Sequence, residues 1–257
     1  MDINHTILTL QKYQQLELEK NIDFEKFNRY AIVHHSTTIE GSTLTEIETQ
    51  LLLDEDITPK GKPLLHSLMM KGHHTALLLI IELAKKNVPV NPQLIQHINA
   101  SVMKNTGNIY QTVFGEIDAG KGMWRKGNVR AGNSYFVSFD KVEILVKNLC
   151  KTITLNIPKA TTQAEQLTLS FQSHFVLVGI HPFYDGNGRT SRLLMNYIQL
   201  IFNLPMGIVF AEDKADYFEA LEKSRKEEDV QFFIAFMFGQ YDKFLQHEIE
   251  RFEAMKK

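Results

Sequence analysis

The stretch from His181 to Arg192, His-Pro-Phe-Tyr-Asp-Gly-Asn-Gly-Arg-Thr-Ser-Arg, gathers an imidazole, a carboxylate, an amide and two guanidiniums in one short run. With an unperturbed pKa near ~6.5, His181 is a candidate proton acceptor at neutral pH. Gly186 and Gly188 allow the backbone to curl with its amides pointing inward, which makes an anion-binding nest. Arg189 and Arg192 stand three apart, hence on one helical face, and can reach the same anion. Asp185 is out of place beside bound phosphates unless a cation lies between them. Mg²⁺ fills that role, taking one or two carboxylates together with phosphate oxygens. A base, a metal carboxylate and a polyphosphate cradle together describe transfer from a nucleoside triphosphate. A plain Gly/Asn turn between core helices would explain any one of these residues. It would not explain five functional groups converging on one cavity.

Two helices must position the stretch. Leu167 to Ile180 is apolar and free of Gly and Pro until Gly179, so it reads as a buried helix. Residues 191–198 read as a second one. The loop between them therefore ends on a helix N-terminus, where the first N–H groups lack internal partners and the dipole is positive.

These residues resemble the signature of the Fic family, His-Pro-Phe-x-[Asp/Glu]-Gly-Asn-[Gly/Lys]-Arg-x-x-Arg, and match it at every specified position. Ile180 and His174 also resemble the family's lead-in helix. The resemblance implies a mostly α fold, a helical bundle with a small β-hairpin flap. It implies transfer of AMP from ATP to a Tyr, Ser or Thr hydroxyl of a target protein, the chain itself being one candidate. His181 would be the base and Asp185 the Mg²⁺ ligand between the α- and β-phosphates. Asn187 and the amides of residues 186–189 would hold those phosphates, Arg189 would neutralise the leaving pyrophosphate, and Arg192 would take the γ-phosphate. Gly188, in place of the Lys of phosphate-transferring relatives, favours AMP transfer over kinase-like chemistry.

A second stretch, Ser36-Thr37-Thr38-Ile39-Glu40-Gly41, reads first as a joint between helices. Gly41 is a helix stop, and Ser42 or Thr43, with Glu46 following, caps the next helix. It also resembles the inhibitory motif of Fic proteins, [Ser/Thr]-x-x-x-Glu-[Gly/Asn], at Ser36, Glu40 and Gly41. Ser36 and Glu40 lie one turn apart on the same face, so Glu40 can be aimed at the anion site. There it would compete with the γ-phosphate for Arg192.

Residues 115–139 are glycine-rich and alternate around Gly127-Asn128 and Gly132-Asn133, the pattern of a β-hairpin. Fic proteins carry a flap hairpin here, and residues 123–129 resemble its Arg-x-x-x-Val pattern. The resemblance makes Trp124, Arg125 and Val129 target-docking residues, since an exposed hairpin edge can pair with an extended segment. It also places Ala131, Gly132, Asn133 and Ser134 beside the nucleotide. Tyr217 and Phe218 resemble a family segment whose two aromatic residues flank the adenine; ordinary helix packing explains them equally well. Arg225 stands where the family's Asn is usual, which leaves the base contact there open.

The rest of the chain sets limits. With 257 residues, 44% of them hydrophobic, it can bury a good core. A net charge of −2 gives no electrostatic case for nucleic acid or a membrane surface. The single cysteine, Cys150, excludes an internal disulfide, reads as a small buried hydrophobe and fits a reducing compartment. No signal-peptide pattern appears, and the longest apolar run, residues 76–84, contains Glu82 and is too short to cross a bilayer. A cytoplasmic chain is expected. Its organisation reads as a single domain over 1–257, with a helical extension at 1–60, a core at about 64–240 and a C-terminal helix at 241–257; Phe232 to Phe238 reads as a core helix and Gln246 to Lys257 as a charged, solvated one. A long helix from residue 64 to 86 carries His66, His73 and His74, which read as structural or surface residues. Two rival functions remain: removal of AMP, with Glu40 activating a water, and a nucleotide-sensing module held inactive by Glu40.

Overall fold

The computed structural model describes residues 3–18, 22–131 and 134–256. Ten helices account for most of them: α1 (Ile3–Gln15), α2 (Ile22–Ile39), α3 (Glu46–Asp54), α4 (Leu64–Lys85), α5 (Pro92–Met103), α6 (Val142–Asn156), α7 (Gln163–Ile180), α8 (Asn187–Ile201), α9 (Lys214–Lys226) and α10 (Gln231–Met255). The expected mostly helical fold is what the chain adopts. Between α5 and α6 lie two antiparallel hairpins, β1 (Ile109–Thr112) with β2 (Gly115–Asp118), and β3 (Arg130–Ala131) with β4 (Ser134–Tyr135).

α8 is the centre of the bundle. It packs against α7, α4, α5 and α2, and nearly every residue from Asn187 to Gln199 is buried. The polar side chains this brings inside are paired, as buried amides must be. Asn196 donates to the Gly207 carbonyl at 2.9 Å, and Gln199 accepts from the Gly207 N–H at 2.8 Å. α7 begins with a capping box between Thr162 and Glu165, earlier than its apolar run alone indicates.

The segment before residue 60 packs onto this core, α1 against α10 and α2 against α4. α2 stops at Gly41, whose φ of +102° a side chain would strain, and Ser42 N–H reaches back to the Thr37 carbonyl at 3.1 Å. The cap of α3 differs from expectation. It is Thr45, not Ser42 or Thr43, with Glu48 closing the box: Thr45 N–H donates to Glu48 Oε2 at 2.8 Å and Glu48 N–H to Thr45 Oγ1 at 3.2 Å. Burying Leu44 keeps the chain extended past Thr43, so the second of two overlapping Thr-x-x-Glu patterns forms the cap.

Two further expectations are corrected. The terminal region is one helix, α10, running through Gly239. Tyr241, Phe244 and Leu245 continue the core, and within the stretch from Gln246 only Glu248 and Ile249 are buried, the other described residues being exposed or half-buried. Tertiary packing outweighs the ~1 kcal/mol that a mid-helix glycine costs. α4 is long and apolar enough, by length and composition alone, to cross a membrane, contrary to the shorter run read from sequence. Here it is a core helix, with Met70, His73, Ala76, Leu77 and Ile80 buried.

Candidate active site

The loop from His181 to Gly186 joins α7 to α8, and its shape is held from three directions. Asn187 closes it from within: its Oδ1 accepts from the Phe183 N–H and its Nδ2 donates to the Phe183 carbonyl, both at 2.9 Å. From α5, buried Asn99 donates to the Asp185 carbonyl and to Thr190 Oγ1, both at 3.1 Å. Arg125, 1% exposed, donates its Nε to the His181 carbonyl at 2.8 Å, its Nη1 to the Gly127 carbonyl at 2.8 Å and its Nη2 to the Val137 carbonyl.

These contacts bear on two roles. The Asn187 side chain spends one donor and one acceptor on the loop backbone, so it shapes the anion cradle as well as keeping a second Nδ2 hydrogen. Arg125 is a buried clamp between the loop and the β3–β4 segment, not a residue offered to a target; an ionic side chain is buried this way only when its donors are satisfied. Trp124 packs on Phe183 with ring centroids 4.9 Å apart, and Val129 is half-buried. Ala131 and Ser134 face each other across β3 and β4, while Gly132 and Asn133 lie outside the described residues.

α8 begins at Asn187, one turn earlier than the 191–198 run read from the sequence. The first turn of α8 begins after Gly186 and presents the N–H groups of Asn187, Gly188 and Arg189 without intrahelical partners. Arg189 is buried, and its Nε and Nη1 have no hydrogen-bond partner. Orphaned buried guanidinium nitrogens are costly, and a phosphate oxygen satisfies them. Its Nη2 lies 3.3 Å from Asp185 Oδ1. The Asp185 carboxylate is half-exposed at the mouth of this cradle, where a single carboxylate together with phosphate oxygens suits Mg²⁺.

Glu40 occupies the same place. Its Oε1 sits 2.6 Å from Arg192 Nη2. Arg192 is further fixed by Ser36, its Nε donating to Ser36 Oγ at 2.8 Å and its Nη2 to the Ser36 carbonyl at 2.9 Å. Burial pushes the Glu40 carboxyl up, but the Arg192 and Arg189 guanidiniums outweigh it and hold the group below the ordinary carboxylate range. A Cβ at Gly188 would run into Glu40 Oε1 and crowd Arg192 Nη1, so this approach requires glycine there. Ser36, Glu40, Gly188 and Arg192 are thus brought together as one cluster, with Gly41 at its edge facing open space.

His181 caps α7 in the left-handed region, with φ +53°. Its Nδ1 is buried against the Val178 backbone, which leaves Nε2 as the nitrogen able to meet a substrate. Burial pushes its pKa down to about 4; the Val178 backbone and Glu40 oppose this, while the Arg125 and Arg225 charges act with it. The imidazole is therefore neutral and proton-accepting at pH 7. The ring of Phe136 lies against it, centroids 3.9 Å apart and planes 18° from parallel.

Tyr217 and Phe218 divide. Tyr217, expected to flank the adenine, is 1% exposed, with its hydroxyl 3.0 Å from His174 Nε2 and 3.5 Å from Arg192 Nη1. It belongs to the layer beneath Arg192. Phe218 is 45% exposed and open to a ligand. Sequence reasoning missed Asn99 and Phe136, because nothing in their neighbourhoods marks them. His34, His35 and Glu46 also cluster, with possible ligand atoms within 4.8 Å of one another. His35 Nδ1, however, accepts the Ala211 N–H at 3.1 Å, so its Nε2 carries the proton and faces Glu46. At 3.6 Å from Glu46 and with its lone pair used on Ala211, His35 has no free lone pair for a metal.

A model of the Fic/DOC family matches residues 89–199, from the approach to α5 through α8. The protein adenylyltransferase Fic of Nematostella vectensis is 30% identical over 208 residues, covering 80% of this chain and 45% of that protein. Its counterpart in Drosophila melanogaster is 29% identical over 206 residues, covering 80% of this chain and 39% of that protein. The chain thus spans less than half the length of these relatives. Among solved structures, a Fic domain containing signaling protein from Bacteroides thetaiotaomicron superposes with a TM-score of 0.81 over 96% of each chain at 22% identity, a likeness of fold.

Proposed function

This chain belongs to the Fic/DOC family, and we propose that it transfers AMP from ATP to a hydroxyl side chain of a protein, held in check by Glu40. The observation that carries the reading is the Glu40–Arg192 pair, 2.6 Å apart over the first turn of α8, in the cradle that His181 borders. The carboxylate sits beside the helix N-terminus and the two arginines that favour an anion, so it and a phosphate would compete for the same place.

The chemistry follows from the geometry. A Tyr, Ser or Thr hydroxyl gives its proton to His181 Nε2 as its oxygen bonds to the α-phosphorus of ATP. The bond from that phosphorus to the bridging oxygen breaks, and pyrophosphate leaves. The unpaired nitrogens of Arg189 and the N–H groups of residues 187–189 stabilise the charge that develops, the largest contribution expected in such a transfer. Asp185 would hold Mg²⁺, which supplies charge neutralisation along the phosphate chain. Arg192 receives the γ-phosphate once Glu40 has withdrawn. The names of the curated relatives support this reading.

The test is incorporation of label from α-labelled ATP into protein, in cell lysate and by the chain alone, using the Glu40→Gly form. His181→Ala in that background should lose at least ~10²-fold while still binding ATP. Undiminished labelling would remove the mechanism.

A further inference from the structure

His181 does not stand free at the mouth of the site. Phe136, just beyond β4, overlaps its ring with centroids 3.9 Å apart and an 18° interplanar angle. Phe136 is in turn braced by α9, where the Arg225 guanidinium lies 5.7 Å over its ring. The loop bearing Phe136 is tied down next door, because Arg125 binds both the Val137 carbonyl and the His181 carbonyl. One buried guanidinium thus fixes the backbones that carry the two stacked rings.

We propose that Phe136 is a positioning residue for the proton-accepting step at His181. A ring laid flat on an imidazole covers one face and leaves the in-plane nitrogens open. The Nε2 lone pair lies in that plane, so fixing the plane fixes the line along which a hydroxyl proton must arrive. Proton transfer demands such alignment, and a group misplaced by about an ångström can cost ~10²-fold. At its buried Nδ1 edge the His181 imidazole meets only the Val178 backbone, a contact short of full hydrogen-bond geometry. One edge contact leaves the tilt of the ring free, and stacking fixes it. It also excludes water from that face and so keeps the ring neutral. The charged groups facing the imidazole are Arg125 from the loop before β3, Arg225 from α9 and Glu40 at the end of α2. The two arginines oppose protonation and Glu40 favours it, so the cover acts on a balance the arginines already tilt.

The inference rests on His181 being the base, and the experiment separates the two. In ¹³C-histidine-labelled protein, with the His181 resonance assigned by its loss in His181→Ala, the wild type should show no titration between about pH 5 and pH 8. Phe136→Ala should bring an inflection into that window, and Phe136→Tyr, which keeps the ring, should not. In the Glu40→Gly background, Phe136→Ala should lower kcat for labelling by roughly tenfold or more at unchanged KM for ATP. Phe136→Leu separates cover from alignment: the titration should stay below the window while kcat still falls. Full kcat in Phe136→Leu, or an unmoved titration in Phe136→Ala, overturns the proposal. Because titration needs no turnover, a chain that labels nothing still tests the cover, while the absence of labelling counts against the transferase reading.

Discussion

Replacing Glu40 by Gly is the perturbation whose size the structure sets most directly. The contact to be lost is a 2.6 Å charge-assisted bond to a guanidinium only 4% exposed, from a carboxylate 29% exposed. Such bonds contribute ~1.5–3 kcal/mol, well above the ~0–1 kcal/mol of a surface pair. At about 1.4 kcal/mol per factor of ten, the gain in productive ATP binding is roughly tenfold to 150-fold, nearer the lower end because the carboxylate is partly wet. Arg192 stays in place in the variant, since Ser36 Oγ, the Ser36 carbonyl and Tyr217 still hold it. The assay is labelling from ATP in four forms: wild type, Glu40→Gly, Arg192→Ala and the double variant. Arg192→Ala should be weak, and adding Glu40→Gly to it should restore little, because the residue to be released is gone. That non-additivity is the signature of contacting groups. An equal gain in both backgrounds would refute the ion-pair account and leave only steric cover of the site by α2.

Three further outcomes are expected. With the His181 pKa near 4, labelling should be flat from about pH 6 to pH 8 and fall only as the imidazole is protonated below that range; a break near pH 6.5 would contradict it. The same depressed pKa means His181 opposes folding increasingly as pH drops from ~6.5 toward 4, because the unfolded chain takes up the proton first. Asp185→Ala should weaken ATP binding measured with Mg²⁺ and leave binding without metal nearly unchanged; equal losses would remove Asp185 as the ligand. Asn187→Ala leaves both the N–H and the carbonyl of buried Phe183 unpaired and should lower stability in urea titrations by about 2–4 kcal/mol, while a loss under ~0.5 kcal/mol would show that water replaces the amide.

What the sequence made legible follows a physical rule. α7 and α8 could be read because their apolar runs are local, and the cradle because its groups lie in one short segment. Residues whose partners are remote backbone atoms could not. Asn99 meets the Asp185 carbonyl 86 residues away, and Arg125 meets the His181 carbonyl 56 residues away. A carbonyl has no residue type to recognise. Tyr217 and Phe218 are adjacent aromatics on one helix, and only the packing of α9 on α10 decides that the first turns inward. The β1–β2 hairpin escaped notice because its turn, Val113-Phe114, lacks hairpin residues and is closed by Thr112, whose hydroxyl donates to the Gly115 carbonyl at 2.7 Å.

Ser36 explains why the proposed inhibition can be reversible without dismantling the bundle. If Glu40 alone held Arg192, its departure would leave a buried guanidinium with its donors exposed to nothing, at a cost of several kcal/mol. Ser36 prevents that by binding Nε through its hydroxyl and Nη2 through its carbonyl from the body of α2, which is anchored against α4. Glu40 lies just past the end of that helix, where the N–H groups of Glu40, Gly41 and Ser42 bond back to α2 carbonyls, so its withdrawal is a rotation of the side chain. The moving part is therefore one carboxylate on a helix end, and the fixed part is the arginine it vacates. A γ-phosphate entering the cradle meets a guanidinium already oriented, so its binding has to displace only the Glu40 contact. On that account Ser36→Ala should weaken ATP binding even in Glu40→Gly, because Arg192 would lose its fixed direction. If ATP binding in that double form equals that of Glu40→Gly, Ser36 is a spectator, and Arg192 is held by Tyr217 and the surrounding packing alone.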